Sequence, residues 1–554
     1  MDNHQAARRL ALLGDLIELV ESQPFKSRAY HNASRSLKGL ADPYTDLLSR
    51  GTLSELPGFG RAVVSKLEEL EQTGRLLELD ELKSKIPPGV LIMRRVSGLG
   101  AKKLRALYQD HGIDTLDTLE QAARDGSLAD LPGFGAKSVL RIEGGIAQVR
   151  SFFGRMRLPE ARRLAAEVQS VLAASHADAT VLTAGDVRRH METVSALNWI
   201  VTGRSAADAA DLLVQQVPDC DAVTEEGDGT LRLRFQDGVT GAVRFVPRGR
   251  DGWAWLEATG PDGYVQHVAS CTALREGDEA SILRDAGLPD LPAECRDLPS
   301  FWTEGVPDEL IEWRHLRGVL HCHTDYSDGL VTLKEMAEAA RTRGLGYIGI
   351  CDHSQTAGYA GGLKPDRVRK QRLEIDRLNE EYGGEFRIFK GIESDILADG
   401  SLDYDEETLA SFDFVVASIH SGLDMLVDEA TDRICRALAH PYTTMLGHAT
   451  GRLLLQRWGY ELCWERVIDT ARQHGVVIEL NANPRRLDVD WRHLRDLYAA
   501  GMKTAINPDA HVPDGIDDMR YGVDIARKAG TTAERVLNTM ETDDIARYFQ
   551  ERKP

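Results

Sequence analysis

Cysteine is sparse in this 554-residue chain: seven are scattered along it, and no Cys-x-x-Cys spacing occurs. That excludes a disulfide framework or a thiolate zinc site as the organising feature, and a reducing, cytoplasmic setting is expected. Long apolar runs are missing too. No stretch of about 18 or more apolar residues occurs, and the opening Met1-Asp2-Asn3-His4-Gln5 has no basic-then-apolar leader pattern, so no membrane association is expected. Positive charge is in deficit. Lys and Arg total 67 against 87 Asp and Glu, a formal net charge of −20. Such a chain does not grip nucleic acid through bulk charge, and any contact of that kind has to come from local basic patches or backbone amides.

What is present is ordinary in amount and unusual in arrangement. Apolar residues make up 42% and charged residues 28%, as in a soluble globular protein, and the length calls for about three to five domains. Residues 1–150 read as all-helical, punctuated by one repeated shape: Leu56-Pro57-Gly58-Phe59-Gly60, Val96-Ser97-Gly98-Leu99-Gly100 and Leu131-Pro132-Gly133-Phe134-Gly135. Basic residues follow each one: Arg61 and Lys66, Lys102 and Lys103, Lys137 and Arg141. The glycines permit a tight turn and leave no side chain over the backbone, so amides at the next helix start can meet a phosphate. One such turn is an ordinary packing corner. Three copies, each followed by Lys or Arg, read as helix-hairpin-helix elements that hold DNA without regard to sequence. The expected contacts are Gly58, Gly60, Gly98, Gly100, Lys102, Gly133, Gly135 and Lys137.

Residues 155–250 change character. Thr180-Val181-Leu182-Thr183, Leu231 to Phe235 and Ala242 to Val246 alternate like half-exposed strands around a helix, giving a small α+β domain. Residues 251–305 look short and irregular, with a Pro-rich exit. From Arg317 onward strand and helix signals alternate about seven times, the rhythm of a (β/α)7 barrel.

In that last part, chemistry-bearing residues recur where predicted strands end: His321, His323, Asp328, His353, Glu393, His420, His448, Asp509 and His511. Side chains at the C-terminal ends of parallel barrel strands converge on one mouth. A convergent set of nitrogen and oxygen ligands holds divalent cations, which activate water against phosphate esters. His321 and His323 share a face if their strand keeps a period of two, as do Asp509 and His511. Asp352 is expected to orient its neighbour His353 as an acceptor. Arg452 and Arg485 are candidates to fork onto a substrate phosphate, with a structural ion pair as the alternative for each.

The order of pieces resembles bacterial family X DNA polymerases that carry a polymerase-and-histidinol-phosphatase (PHP) barrel. The resemblance rests on His321-Cys322-His323, Ser327-Asp328-Gly329, Asp352-His353-Ser354, Gly391-Ile392-Glu393, Ile419-His420, Gly447-His448 and Asp509-Ala510-His511. It implies a helical lyase-like domain over 1–83, helical fingers over 84–152, a nucleotidyltransferase-like palm over 153–250, a reduced thumb and linker over 251–313, and the PHP phosphoesterase domain over 314–554. It also implies three divalent ions, manganese first, with zinc or iron as alternatives. By analogy His321, His323, Glu393 and Asp509 hold one ion, Glu393, His420 and His448 a second, and Asp328, His353 and His511 a third.

The palm departs from the family pattern. Arg188, Arg189, Glu192, Thr193 and Val194 keep the frame, but the paired catalytic aspartates have become Ala196 and Asn198, the third falls on Ala242, and Asp186 stands where a phosphate-contacting serine is usual. Neither Ala nor a neutral amide replaces an anionic ligand, so a palm without polymerase activity is expected. Lys66 occupies the place of the family's Schiff-base lysine, which requires a neutral amine. A DNA-contacting or merely exposed lysine is the competing expectation.

The sequence therefore predicts a metal-dependent phosphodiesterase, a 3′→5′ exonuclease or 3′-end processing enzyme of base excision repair. It would be bacterial, cytoplasmic and nucleoid-associated, acting as a monomer on gapped DNA or 3′ ends. The alternatives are a phosphatase on a small phosphomonoester such as histidinol phosphate, and a non-catalytic DNA-binding scaffold.

Overall fold

The computed structural model describes residues 3–38, 40, 42–174, 180–203, 206–217, 220–226, 229–235 and 238–554. They fall into two compact units, Met1–Phe152 and Phe153–Pro554.

The first unit is helical. Each hairpin motif makes the same turn: the amides of Phe59, Leu99 and Phe134 donate to the carbonyls of Leu56, Val96 and Leu131 at 3.3, 3.1 and 3.1 Å. Gly58, Gly98 and Gly133 sit at φ of +93°, +90° and +87°, a conformation that costs a residue with a Cβ but not glycine. The next helices, Arg61–Thr73, Ala101–Asp110 and Ala136–Phe152, begin directly after Gly60, Gly100 and Gly135. The aromatic or leucine of each turn is buried and pins the loop to the core. One apolar core runs from Ala6 to Val149, so the boundary expected at 83/84 does not separate two cores.

Besides a short antiparallel pairing of Met156–Arg157 with Thr193–Val194, the described residues of the second unit form two larger sheets. In the smaller, β1 (Thr180–Ala184), β2 (Ala196–Thr202), β3 (Cys220–Glu225), β4 (Thr230–Phe235) and β5 (Thr240–Phe245) lie in the order β1-β2-β5-β4-β3, with β2 and β5 parallel. The strand alternation in the sequence does not mark β2 or β3. The sheet buries Trp199, Val201, Leu231 and Leu233 against Leu164, Val168 and Leu172 of the helix Leu158–Ala174. Residues 251–305 correct a further expectation. They are not irregular but form the helices Asp251–Thr259, Asp262–Cys271, Glu279–Asp285 and Phe301–Glu304 over a core of Leu256, Tyr264, Val268, Ile282 and Leu283.

Seven parallel strands make the larger sheet: β6 (Gly318–Cys322), β7 (Tyr347–Ile350), β8 (Arg387–Asp395), β9 (Phe414–Ser418), β10 (Met445–Leu446), β11 (Val477–Asn481) and β12 (Thr504–Asn507), neighbours in chain order. A parallel bridge between Cys322 and Ala510 brings the first and last strands together. Helices between the strands bury one face of each. The other faces the barrel interior, filled by Leu320, Phe389, Phe414, Val416, Met445 and Ala505 with Phe549 of the helix Thr542–Arg552. Gly349 and Gly391 let the Phe414 ring approach their backbone, where a Cβ would clash at 2.6 and 2.4 Å. No described helix is long and apolar enough to cross a membrane.

Buried charges tie the barrel to the rest of this unit. The Lys528 ammonium has no solvent exposure and donates to Asp297 Oδ2 and the Arg189 carbonyl, both at 2.7 Å. Glu192 accepts from Trp491 Nε1 at 3.2 Å and Arg492 Nη1 at 3.0 Å. Removing one partner of a buried pair costs roughly 3–5 kcal/mol, because the other charge stays behind. Asp297 keeps Arg189 Nε at 3.2 Å, so Lys528→Met should destabilise this unit by roughly 3 kcal/mol, the lower end of that range. The check is a lowered urea midpoint of the full chain, and an unchanged midpoint would contradict it.

Candidate metal centre

The chain places His321, His323, Asp328, His353, Glu393, His420, His448, Asp509 and His511 together at the C-terminal mouth of the barrel, with Glu393 at their centre. Its carboxylate is 1% exposed. Glu393 Oε1 lies 2.9 Å from His448 Nε2, 3.2 Å from His420 Nε2 and 3.4 Å from His321 Nε2, while Oε2 lies 2.9 Å from His353 Nδ1 and 3.8 Å from His323 Nε2. Asp509 Oδ1 is 3.1 Å from His323 Nε2. Asp328 Oδ1 is 3.2 Å from His511 Nε2 and 3.5 Å from His353 Nε2.

Three subsets have ligand atoms within 4.8 Å of one another: His321, His323 and Glu393; His353, Glu393 and His420; and His323, Asp328, His353 and His511. The grouping implied by resemblance is not the same: Asp509 is outside the first subset, His353 rather than His448 stands in the subset of Glu393 and His420, and His323 joins the third. His321 Nε2, both nitrogens of His323, His353 Nδ1, Glu393 Oε2 and His448 Nδ1 are buried without a hydrogen bond. Each unsatisfied buried group costs about 1–3 kcal/mol. Several of them facing one another, all nitrogen or carboxylate donors, fit divalent cations of the manganese, zinc or iron type.

Burial opposes ionisation of Glu393 and Asp509, but the surrounding histidines outweigh it and hold both far below the usual carboxylate range. Burial likewise opposes ionisation of Asp328, yet His511 leads the histidines that bring it to about 2. The backbone is also unusual. His321, His448 and Asp509 have φ of +61°, +23° and +53°, a region costing a non-glycine residue about 1–3 kcal/mol and found where a site demands it. This corrects the argument from strand periodicity. The His321 and His323 rings do lie 5.3 Å apart, but β6 is irregular between Val319 and Cys322, so the pairing does not come from a regular period of two.

At four further positions the structure distinguishes between the expectations. Asp352 bonds no histidine; it accepts from Thr324 N at 2.8 Å, Thr324 Oγ1 at 2.7 Å, Ser327 Oγ at 2.5 Å and Gln371 Nε2 at 2.5 Å, and so fixes the loop carrying Asp328. The Arg452 guanidinium is spent internally on Asp490 Oδ2 at 2.6 Å and the carbonyls of Arg486 and Leu487. Arg485 is exposed with Nη2 on Gln456 at 3.2 Å, and its neighbour Arg486 is the one that reaches the cluster, Nε lying 3.4 Å from Asp509 Oδ2. Lys66 lies 2.9 Å from Glu69 and 3.2 Å from Glu78. Burial favours its neutral form, but these carboxylates prevail and raise its pKa, the opposite of what a Schiff-base amine needs. Lys102 and Lys137 are exposed on the first turns of their helices, beside hairpin glycines with open space above Gly60, Gly100, Gly133 and Gly135 among the described residues.

Ala196, Asn198 and Ala242 do come together, since β2 and β5 pair with Asn198 opposite Ala242. The arginines beside them are already neutralised. Arg188 contacts Glu279 at 2.5 Å and stacks 3.2 Å over Trp255, and Arg189 contacts Asp186 at 2.8 Å and Asp297 at 3.2 Å.

Two acidic residues not among the sequence candidates also belong to the site. Glu479 Oε1 lies 2.7 Å from His321 Nδ1 and accepts from Asn507 Nδ2 at 2.9 Å, while Oε2 accepts from the His448 amide at 2.8 Å. Asp395 Oδ1 lies 2.5 Å from His420 Nδ1. The available signal was a carboxylate inside an apolar strand, as in Val477-Ile478-Glu479-Leu480, because a buried charge needs a partner. Groups that orient ligand histidines are worth about 10–100-fold in cation affinity. Glu479→Gln should weaken Mn²⁺ binding by about that factor in calorimetric titration; unchanged affinity would remove Glu479 from this role.

Comparison with known proteins finds a helix-hairpin-helix domain over residues 1–76, a SAM-like helix-hairpin-helix tandem over 90–142 and a PHP domain over 320–483. A DNA polymerase/3′-5′ exonuclease PolX of Bacillus subtilis (strain 168) is 31% identical over 572 aligned positions, covering 99% of this chain and all of the relative. A probable phosphatase of Thermoanaerobacter sp. (strain X514) is 29% identical over 250 positions, covering 42% of this chain and 94% of its own length. A probable phosphatase of Caldicellulosiruptor saccharolyticus is 31% identical over 169 positions, covering 29% of this chain and 64% of its own. The phosphatase likenesses cover less than half of this chain, whereas the likeness to PolX runs from end to end through hairpins, small sheet and barrel, and on that ground the chain belongs to the PolX family.

Proposed function

We propose that this protein is a divalent-cation-dependent phosphodiesterase that trims DNA from 3′ ends in base excision repair, and that its palm does not polymerise. The observation that carries the reading is the Glu393-centred cluster, with its buried unsatisfied donors, in a chain that also bears three hairpin loops with open glycines. The nine clustered residues would hold divalent ions, three in this reading and manganese by preference, which when bound would supply positive charge to phosphoryl oxygens and lower the pKa of water. Glu479 and Asp395 orient His321 and His420, and Asp352 fixes the Thr324–Ser327 turn that carries Asp328. Arg486 presents a guanidinium on the Asp509 side, where it offsets negative charge on an incoming phosphate. Arg452 has no such part.

Residues 1–83 and 84–152 serve as lyase-like and fingers-like hairpin domains without lyase chemistry, because Lys66 is held as a charged partner of Glu69 and Glu78. Residues 153–250 and 251–313 are palm and thumb. Magnesium-dependent nucleotidyl transfer needs carboxylates at Ala196, Asn198 and Ala242, and the arginines that would meet a triphosphate are paired inside the protein. The protein works in the cytoplasm as a monomer on gapped DNA or free 3′ ends. A second reading, phosphatase action on a small phosphomonoester, draws on the likeness of the barrel to probable phosphatases.

With Mn²⁺ the full chain should shorten 3′-labelled DNA, a His321→Ala, His323→Ala variant should leave it intact, and neither should extend a primer with Mg²⁺ or Mn²⁺. Trimming by the variant, or hydrolysis of histidinol phosphate alone, would overturn the reading. If the hairpins hold the strand, Lys102→Ala and Lys137→Ala should each weaken binding equally across sequences and lower the slope of log K against log salt by about 1. Anisotropy titrations over a range of salt concentrations measure both effects.

A further inference from the structure

Beside the cluster stands an aromatic ring that neither packing nor ion binding explains. Tyr359 is 72% exposed, although its ring centroid lies only 6.0 Å from that of His353 and 6.3 Å from that of His420. Large aromatics normally bury their rings in the core; this one is held out over the mouth.

Its position is built rather than loose. Tyr359 is the middle residue of a short 3₁₀ turn, Gly358–Ala360, inside the small-residue stretch Ala357-Gly358-Tyr359-Ala360-Gly361-Gly362. Ala357 and Ala360 on either side are buried and anchor the turn. The Ala360 and Gly362 amides donate to the Ala357 carbonyl at 3.0 and 3.1 Å, and Leu363 N donates to the His353 carbonyl at 2.8 Å. Gly362 runs so close to Ser354 that a Cβ would lie 1.9 Å from its carbonyl oxygen. The turn is therefore tied to the very segment that carries His353, and the Tyr359 backbone is anchored beside the cluster.

We infer that Tyr359 is a stacking platform for the nucleobase at the 3′ end of the strand, rather than for a sugar phosphate or an inorganic anion. This rests on the proposed DNA phosphodiesterase reading and narrows its substrate class. A phosphate seated over Glu393, His353 and His420 leaves its nucleoside within reach of a ring about 6 Å from those imidazoles. Stacking on an exposed aromatic tolerates any base, because every base has a π face. That matches trimming without sequence preference and gives a base-bearing end an advantage over a small phosphomonoester. Tyr359 is a positioning residue: it touches the base and not the reacting phosphorus.

The test uses the full chain and an oligonucleotide carrying 2-aminopurine at its 3′ terminus behind an uncleavable phosphorothioate link. Wild-type protein should quench the terminal probe, Tyr359→Phe should retain the quench, and Tyr359→Ala should abolish it. Equal quenching by Tyr359→Ala, or none by wild type, overturns the inference. In turnover, kcat/KM for a base-bearing terminus over an abasic one should fall about 10-fold in Tyr359→Ala; an equal loss on both substrates would mark a purely structural role and also overturn it. Wild type that quenches the probe but trims nothing would sink the exonuclease reading while leaving the platform standing.

Discussion

A carboxylate sealed from water at the mouth of a barrel dictates most of what surrounds it. Isolated, the Glu393 anion would cost several kcal/mol to bury. It is tolerated because histidines from the ends of β6, β7, β9 and β10 close on its two oxygens at 2.9 to 3.8 Å. Parallel strands make that possible, since their C-terminal ends all open on one side. Below the cluster the interior is apolar and closed by Phe414 stacked on Phe549 at 5.0 Å, so charge is confined to the mouth. Support continues outward: Glu479 braces His321 and His448, Asp395 braces His420, and Asp352 fixes the turn before Asp328.

In the small sheet the charged side chains near the paired strands are spent on one another. Positions 196, 198 and 242 converge on paired strands, the arginines nearby pair with carboxylates within the protein, and the Arg188 guanidinium lies over the Trp255 ring. The same arginine stretch helps join the sheet to the barrel, because the Arg189 carbonyl and Asp297 together receive the buried Lys528. These arginines act as structural ties between the small sheet, the helices after it and the barrel.

Local pattern sufficed wherever the physics is local. The hairpin turns were legible because only glycine adopts φ near +90° cheaply, and Gly58, Gly98 and Gly133 recur with the same neighbours. The alternation after Arg317 was legible as a parallel barrel because fully buried strands are short apolar runs between amphipathic helices, and the clustered residues stood out as polar residues at the ends of those runs. Tertiary structure alone decided the rest. Whether Arg452 or Arg486 faces the cluster depends on which carbonyls and carboxylates the loops bring near, and Arg452 met Asp490 and two backbone oxygens while Arg486 met Asp509. The positive φ at His321, His448 and Asp509 is likewise not encoded by strand periodicity. The roles of Glu479, Asp395 and Tyr359 arise from contacts between segments far apart in the chain or from a turn's exposure, and one-dimensional spacing carries no record of either.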